Sequence, residues 1–284
     1  MSLCSLRFLG ARLGFRMNKA ILEDGTVVHC LVKSEALVLD HHVQGYLEHG
    51  IDIGADDVVF DIGANIGLFG VRAVQQHTKV RVFAFEPVPD IYAVLHQNSQ
   101  AFGDGRLVAL PFGASDAPGS FSIQYYPNAP ALSTGHPEFW DERPGMLAEA
   151  VRGNTKNAPD SLWYARLVPG FLSAFIARRL RKKAQSVVCE LRTISSVIDE
   201  YQLDRVDVVK IDCEGAELAA LRGIEDRHWP LVGKVVAEVH DVDGRLETVR
   251  QLLATHGLTD VLIEKEKGFE QTPLVNIHAK RPVT

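Results

Sequence analysis

Val58-Val59-Phe60-Asp61-Ile62-Gly63-Ala64-Asn65-Ile66-Gly67 is the stretch that decides the fold. Its first five residues are apolar except for Asp61, and they run straight into a glycine-rich turn. Ile66, Phe69, Ala73 and Val74 then recur at helical spacing. A short strand that is apolar on both faces is covered on both faces, the condition of a parallel sheet flanked by helices. Val80–Phe85, Leu107–Leu110, Val206–Ile211 and Lys234–Val239 repeat the pattern. Helical stripes separate them: Ile91, Val94 and Leu95; Ile194, Val197, Ile198 and Tyr201 behind Thr193 as N-cap; Leu218, Leu221 and Ile224; and Leu246, Val249, Leu252 and Leu253 ahead of Gly257. This alternation predicts right-handed crossovers and an open, doubly wound, mostly parallel α/β sheet.

The flanks read differently. Ile21 to Val32 predicts a hairpin around Asp24-Gly25, so residues 1–50 are expected to form an N-terminal arm and hairpin ahead of a main domain at 51–284. Val261–Glu264 and Val275–Ala279 predict an antiparallel pair closing the sheet edge. Residues 125–186 break the strand–helix rhythm and are expected to be a largely helical insertion.

Composition narrows the function. Apolar residues make up 46% and charged residues 23%, the balance of a globular chain, and no run approaches the ~20 apolar residues that cross a bilayer. A net charge of -6 argues against a nucleic-acid binder, which needs a basic surface to displace counterions. The four cysteines lack CxxC spacing, which predicts free thiols and a cytoplasmic location. Met1 to Phe15 carries Arg7 and Arg12 but no acid, and reads as a loosely packed arm, or as residues ahead of a start at Met17, rather than a targeting peptide.

The chemistry lies at the strand ends. Glycines at 63 and 67 predict close backbone approach to a ligand, with Ala64 and Asn65 at a helix N-terminus. A dinucleotide fingerprint would place glycine where Asp61 stands. A carboxylate there repels pyrophosphate but suits the ammonium and sulfonium of S-adenosylmethionine. Glu86-Pro87 ends the next strand, where an acid can accept hydrogen bonds from ribose hydroxyls. Gly113, Ala114, Ser115 and Asp116 are placed to cover an adenine ring, although Asp116 can instead start the following turn. Lys210, Asp212 and Glu214 alternate along a strand and are expected on one side of it, with His240 meeting Asp212 or Glu214 in the same crevice. His240 or Asp212 is the expected base, with Glu214 and Lys210 tuning the local charge. Asp212, Glu214 and His240 also offer an oxygen and nitrogen set for Mg²⁺ or Mn²⁺, but a metal-free cluster is favoured. Rival readings are a nicotinamide-dependent oxidoreductase and a non-catalytic S-adenosylmethionine-binding module.

These motifs resemble the FkbM-type methyltransferases, in VVFDIGANIG (58–67), VFAFEPVP (82–89) with Asn98, TISSVIDEY through KIDCEGAELAALRG (193–223), and EVH (238–240). The resemblance implies a class I, Rossmann-like methyltransferase fold with seven strands, one antiparallel, and S-adenosylmethionine as donor. It implies O-methylation of a secondary metabolite, polyketide or lipid, or glycan hydroxyl. Asp61, Gly63, Asn65 and Gly67 would line the methionine end, Glu86 the ribose and Asp212 the methyl-transfer side.

The insertion departs from that pattern. Phe171, Leu172, Phe175, Ile176 and Leu180 form an apolar stripe beside Arg178, Arg179, Arg181, Lys182 and Lys183. Two readings are open: a helix packed on the core with a solvated basic end, or a lid over the acceptor site, with Trp140, Trp163 and Tyr164 as an apolar wall for a small-molecule or carrier-bound acceptor. The basic run would attract an acidic carrier domain or an anionic membrane surface.

Overall fold

The computed structural model describes residues 17–47, 49–138, 144–265 and 272–282. A hairpin, β1 (Asn18–Ile21) and β2 (Val27–Cys30), leads into helix α1 (Lys33–Val43). The central elements follow: β3 (Val58–Ile62), α2 (Leu68–Gln76), β4 (Arg81–Phe85), α3 (Pro89–Phe102) and β5 (Leu107–Leu110). After β6 (Gly113–Ala114) and β7 (Gly119–Tyr125) come α4 (Pro144–Lys156) and α5 (Ser173–Leu180). The chain returns through β8 (Gln185–Arg192), α6 (Ile194–Glu200), β9 (Val206–Ile211), α7 (Glu217–Arg222), β10 (Val232–His240), α8 (Arg245–Thr255), β11 (Asp260–Glu264) and β12 (Leu274–Lys280).

The main sheet has seven strands in the order β11-β12-β10-β9-β3-β4-β5. Strands β10, β9, β3, β4 and β5 are parallel, while β12 enters antiparallel between β10 and β11. This is the class I methyltransferase sheet. Every residue of β3 is buried, which explains why it is apolar on both faces apart from Asp61. Phe60, Phe83 and Phe85 are fully buried on one face, each worth about 1.5–3 kcal/mol of transfer free energy. The chain leaves β3 toward β5 and comes back on the other side at β9, so the strand order reverses between β3 and β9. A crevice opens at the carboxyl ends of strands at such a reversal.

Local signals hold at the helix ends. Thr193 caps α6, its side chain accepting the Ser196 N–H at 3.1 Å. Gly257, with φ of 86°, follows α8 in the left-handed conformation that stops a helix.

Three features differ from expectation. The hairpin is not set apart from the main domain: Ala20, Leu22, Val28, Cys30, Ala36 and Val43 share one core with Val59, Val82 and Val208, while the arm expected at Met1 to Phe15 lies outside the described residues. Helix α1, absent from the sequence reading, is tied to α2 by a two-pronged bond of Arg72 to Asp40, both contacts at 2.7 Å. Asn98, sealed at 0% exposure, clamps the hairpin by accepting the His29 N–H and donating to the carbonyls of His29 and Ile66. The insertion's limits are strands as well. β7 pairs antiparallel with β8, and Tyr125 faces Gln185 at the neck from which the helical segment emerges. Inside it, Met146, Leu147, Val151 and Ala177 form a small apolar core of their own. Trp140 lies outside the described residues.

Candidate functional site

A cavity of about 620 Å³ opens over the carboxyl ends of β3, β4 and β9. One end is lined by Gly63, Ala64, Asn65, Glu86, Pro87 and the β6 residues Gly113 and Ala114 with Ser115; the other runs beneath the insertion. Lys210, Asp212 and Glu214 lie on the wall as well.

Glu86 is fixed by its own loop. Its Oε2 accepts the Asn65 N–H at 3.1 Å and its Oε1 accepts the Val88 N–H at 2.9 Å. Burial pushes its pKa up to about 7, against the pull of those two bonds. Each oxygen retains acceptor capacity toward the cavity.

Asp61 is not on the cavity wall. It is 0% exposed and lies beside Lys210, whose Nζ sits 3.1 Å from Oδ1. Burial raises the Asp61 pKa, opposed by Lys210. Lys210 would be pushed down by burial, but Asp61 and Asp212 outweigh that and hold it above its ordinary value. The ammonium also donates to the Gly63 carbonyl at 3.1 Å and lies 3.7 Å from Asp212 Oδ2. Asp212 is therefore the carboxylate of this cluster that meets the cavity, steadied by a 2.9 Å bond from the Tyr46 hydroxyl. Two carboxylates around one ammonium leave a formal charge of minus one at the wall, which favours a cationic ligand.

The glycines serve packing more than ligand approach. A Cβ on Gly63 would lie 1.7 Å from the Asp212 carbonyl oxygen, so glycine lets the β3 turn pass the end of β9. A Cβ on Gly67 would meet Leu95 at 2.5 Å, and Gly67 is off the cavity wall. The N–H groups of Gly63, Ala64, Asn65, Ile66 and Gly67 are all engaged within the protein, so the turn does not present the free donors expected of it. Asp116 is exposed and also off the wall, accepting the Ser115 hydroxyl at 3.2 Å, which leaves Gly113 to Ser115 to face a ring.

The second charged cluster is arranged differently from its sequence reading. Strand β9 ends at Ile211, and Glu214 has φ of 50°, so strand alternation does not continue to it. His240 does meet Glu214, with Nε2 3.4 Å from Oε2, and its Nδ1 faces Glu217 Oε1 at 3.1 Å. It does not join Asp212, which stays with Lys210 and Tyr46. The imidazole is 2% exposed and absent from the cavity wall. Burial works against its charged form, yet the two carboxylates raise its pKa well above the ordinary histidine value. A histidine protonated on both nitrogens cannot act as a base. It positions Glu214, whose own pKa burial raises despite His240. The proposed metal trio is thereby divided between two clusters.

Sequence reasoning missed Glu35, which lines the wall, and two residues behind it, Glu217 and Thr134. Glu217, 0% exposed, also lies 3.6 Å from Arg245 and accepts the Gly215 N–H at 2.6 Å, shaping the loop that carries Glu214. Its place in the 210–217 motif was visible but its partner was not. Glu35 of α1 accepts the Ala131 N–H of the insertion at 2.7 Å, and burial pushes its pKa up to about 7. Thr134 donates to the Glu214 carbonyl at 2.7 Å, joining insertion and site directly.

Comparison with known proteins identifies the family. The family described as "Methyltransferase FkbM domain" matches residues 61–270. The chain belongs to the FkbM methyltransferase family. It is 33% identical over 237 residues to the 31-O-demethyl-FK506 methyltransferase FkbM of Streptomyces tacrolimicus, covering 83% of this chain and 85% of that one. It is 32% identical to methyltransferase sdnD of Sordaria araneosa, covering 80% of each. Among solved structures, an FkbM methyltransferase from Methylobacillus flagellatus superposes with a TM-score of 0.47 at 17% identity, over 82% of this chain and 46% of that one. Membership in the FkbM family makes the chain a methyltransferase and sets aside the nicotinamide-dependent oxidoreductase. Among the described residues, no helix of this FkbM-family chain is long and apolar enough to cross a membrane.

Proposed function

We propose that this methyltransferase transfers the methyl group of S-adenosylmethionine to a hydroxyl of a large, mostly apolar acceptor such as a secondary metabolite, polyketide, lipid or lipid-borne glycan. The observation that carries this reading is the placement of Glu86 and Asp212 on one cavity wall, at the ends of the two strands flanking β3. The residues fit the donor. A volume of about 620 Å³ suits a ligand of its size with room beyond it. Glu86 offers two oxygens to ribose hydroxyls, and Asp212 gives the far side a negative charge. When bound, S-adenosylmethionine supplies an electrophilic methyl on a sulfonium.

On the acceptor side the insertion contributes Leu132, Leu147, Val151, Leu162, Ile176 and Leu180 to the wall. That surface matches an apolar molecule. Glu214 serves as the base, accepting the acceptor's hydroxyl proton on its carboxylate while the His240 imidazolium holds it in place. An elevated carboxylate pKa brings the base closer to neutrality, where general-base catalysis is most efficient. The Streptomyces relative, a 31-O-demethyl-FK506 methyltransferase, supports oxygen as the target. The protein should be incubated with methyl-labelled S-adenosylmethionine and an extract of its source, and the labelled product fragmented. Label on an oxygen supports the proposal; label on nitrogen or carbon, or no labelled product, rejects it.

A further inference from the structure

The insertion has a second apolar face, turned away from the cavity. Ile176 and Leu180 of α5 line the cavity, and Ser173 and Ala177 are buried. On the outside, Phe171 is 82% and Phe175 66% exposed, beside Trp163 at 60%, Tyr164 at 55% and Leu167 at 70%. Single exposed apolar residues are ordinary, but five within thirteen positions mark an interaction surface. Arg178, Arg179, Lys182 and Lys183 follow directly, all exposed. None of the four makes an ion pair among the described residues, and no acid occurs from Leu162 to Cys189. In a chain of net charge -6 this concentration of positive charge is local.

We propose that the outer face of the insertion docks on an anionic lipid surface, so that the enzyme works at a membrane on an acceptor that partitions into it. Aromatic side chains with a bordering basic cluster are what the interface of an anionic bilayer accommodates: rings at the headgroup level, cations among the phosphates. A second copy of the chain is disfavoured as occupant, since a symmetric contact through this face would bring two basic clusters together. The acceptor clause rests on the proposed lid role of the insertion; the docking itself does not.

The test is co-sedimentation of the full chain with vesicles of phosphatidylcholine, alone or mixed with phosphatidylglycerol, without donor or acceptor. Binding to the mixed vesicles, weak binding to neutral ones, and reversal by salt are expected. A Phe171→Ser/Phe175→Ser variant and an Arg178→Gln/Arg179→Gln/Lys182→Gln/Lys183→Gln variant should each lose at least about tenfold in vesicle affinity. Both should bind S-adenosylmethionine as the parent does, which shows that they fold. A parent chain left in the supernatant, equal binding to neutral vesicles, or capture only by an acidic carrier protein overturns the proposal. Vesicle binding without O-methylation would reject the functional reading and leave this one standing.

At the sheet edge a separate cluster gathers ligand-type side chains from three segments. His278 Nε2 of β12 lies 3.2 Å from Glu264 Oε1 of β11, and His49 Nε2 lies 3.0 Å from Glu264 Oε2. All three ligand atoms fall within 4.8 Å of one another. Two imidazoles and a carboxylate are a donor set for zinc or a similar transition metal. The geometry points to a divalent metal site that pins His49, and with it the preceding turn that holds Tyr46 against Asp212. Zinc titrated into the full chain should bind at one equivalent and raise Tm by about 5 °C. His49→Ala and His278→Ala should each abolish both effects. Absence of zinc binding, or binding that survives in both variants, overturns the site.

Discussion

Asp61 and Lys210 stand in register on β3 and β9, with Lys210 Nζ 3.1 Å from Asp61 Oδ1, at the point where the strand order reverses. The pair is sealed, at 0% and 4% exposure. The most conspicuous carboxylate of the motif thus lies beneath the cavity rather than on its wall.

Lys210→Met should therefore destabilise the fold by about 3–5 kcal/mol, because it strands a buried carboxylate. Asp61→Asn combined with Lys210→Met should recover much of that loss. Urea unfolding midpoints check both; a Lys210→Met loss under about 1 kcal/mol contradicts a structural ion pair.

Glu86 sets a pH dependence. Its folded pKa of about 7 lies above the ordinary 4.5, so the folded protein holds this proton more tightly than the unfolded chain. The contribution to stability is complete below about pH 4.5 and is lost as pH rises through 7, about 3 kcal/mol in all. Glu86→Gln should flatten that part of the stability profile between pH 5 and 7, measured by thermal unfolding without donor. Hydroxyl donors favour the charged carboxylate, so donor binding near pH 6 should release a proton, seen as a buffer-dependent calorimetric heat; proton uptake would contradict the ribose contact.

His240 and Glu214 should separate kinetically. Glu214→Gln is expected to lower kcat by about 10²–10⁴-fold as the loss of a base. His240→Gln should cost less in kcat while moving the acid limb of the kcat profile, because the glutamine still bonds Glu214 but removes its charged neighbour. Equal losses with no movement of that limb would restore His240 as the base.

Much of this was legible in the sequence because it is local. The β3, β4, β5, β9 and β10 runs are buried on both faces, and Glu86 and Asp212 follow directly from strand ends. Strand β7 escaped notice because its first four residues, Gly119 to Ser122, are exposed and hold one large apolar side chain, so no apolar run announces it. Glu35 and Tyr46 reach the site from α1 and the turn after it, through contacts with Ala131 and Asp212 far along the chain. The Glu214 partnership was foreseen, but the Glu217 side of His240 depends on a left-handed residue that strand periodicity does not predict.

Removing the insertion separates its roles. Replacing residues 128–184 by a short glycine–serine bridge keeps the Tyr125 and Gln185 strand pair while deleting the Thr134 and Ala131 contacts. Donor affinity should stay within about tenfold of the parent and methyl transfer should vanish. Retained transfer to the natural acceptor would make the insertion decoration; lost donor affinity would make it part of the donor site.

The central claim is that one ligand is held between Glu86 and Asp212, and calorimetric titration of S-adenosylmethionine tests it most directly. The parent chain should bind one equivalent, and Glu86→Ala and Asp212→Ala should each weaken binding by roughly 1–3 kcal/mol with the fold intact. Affinity unchanged in both variants would contradict the account.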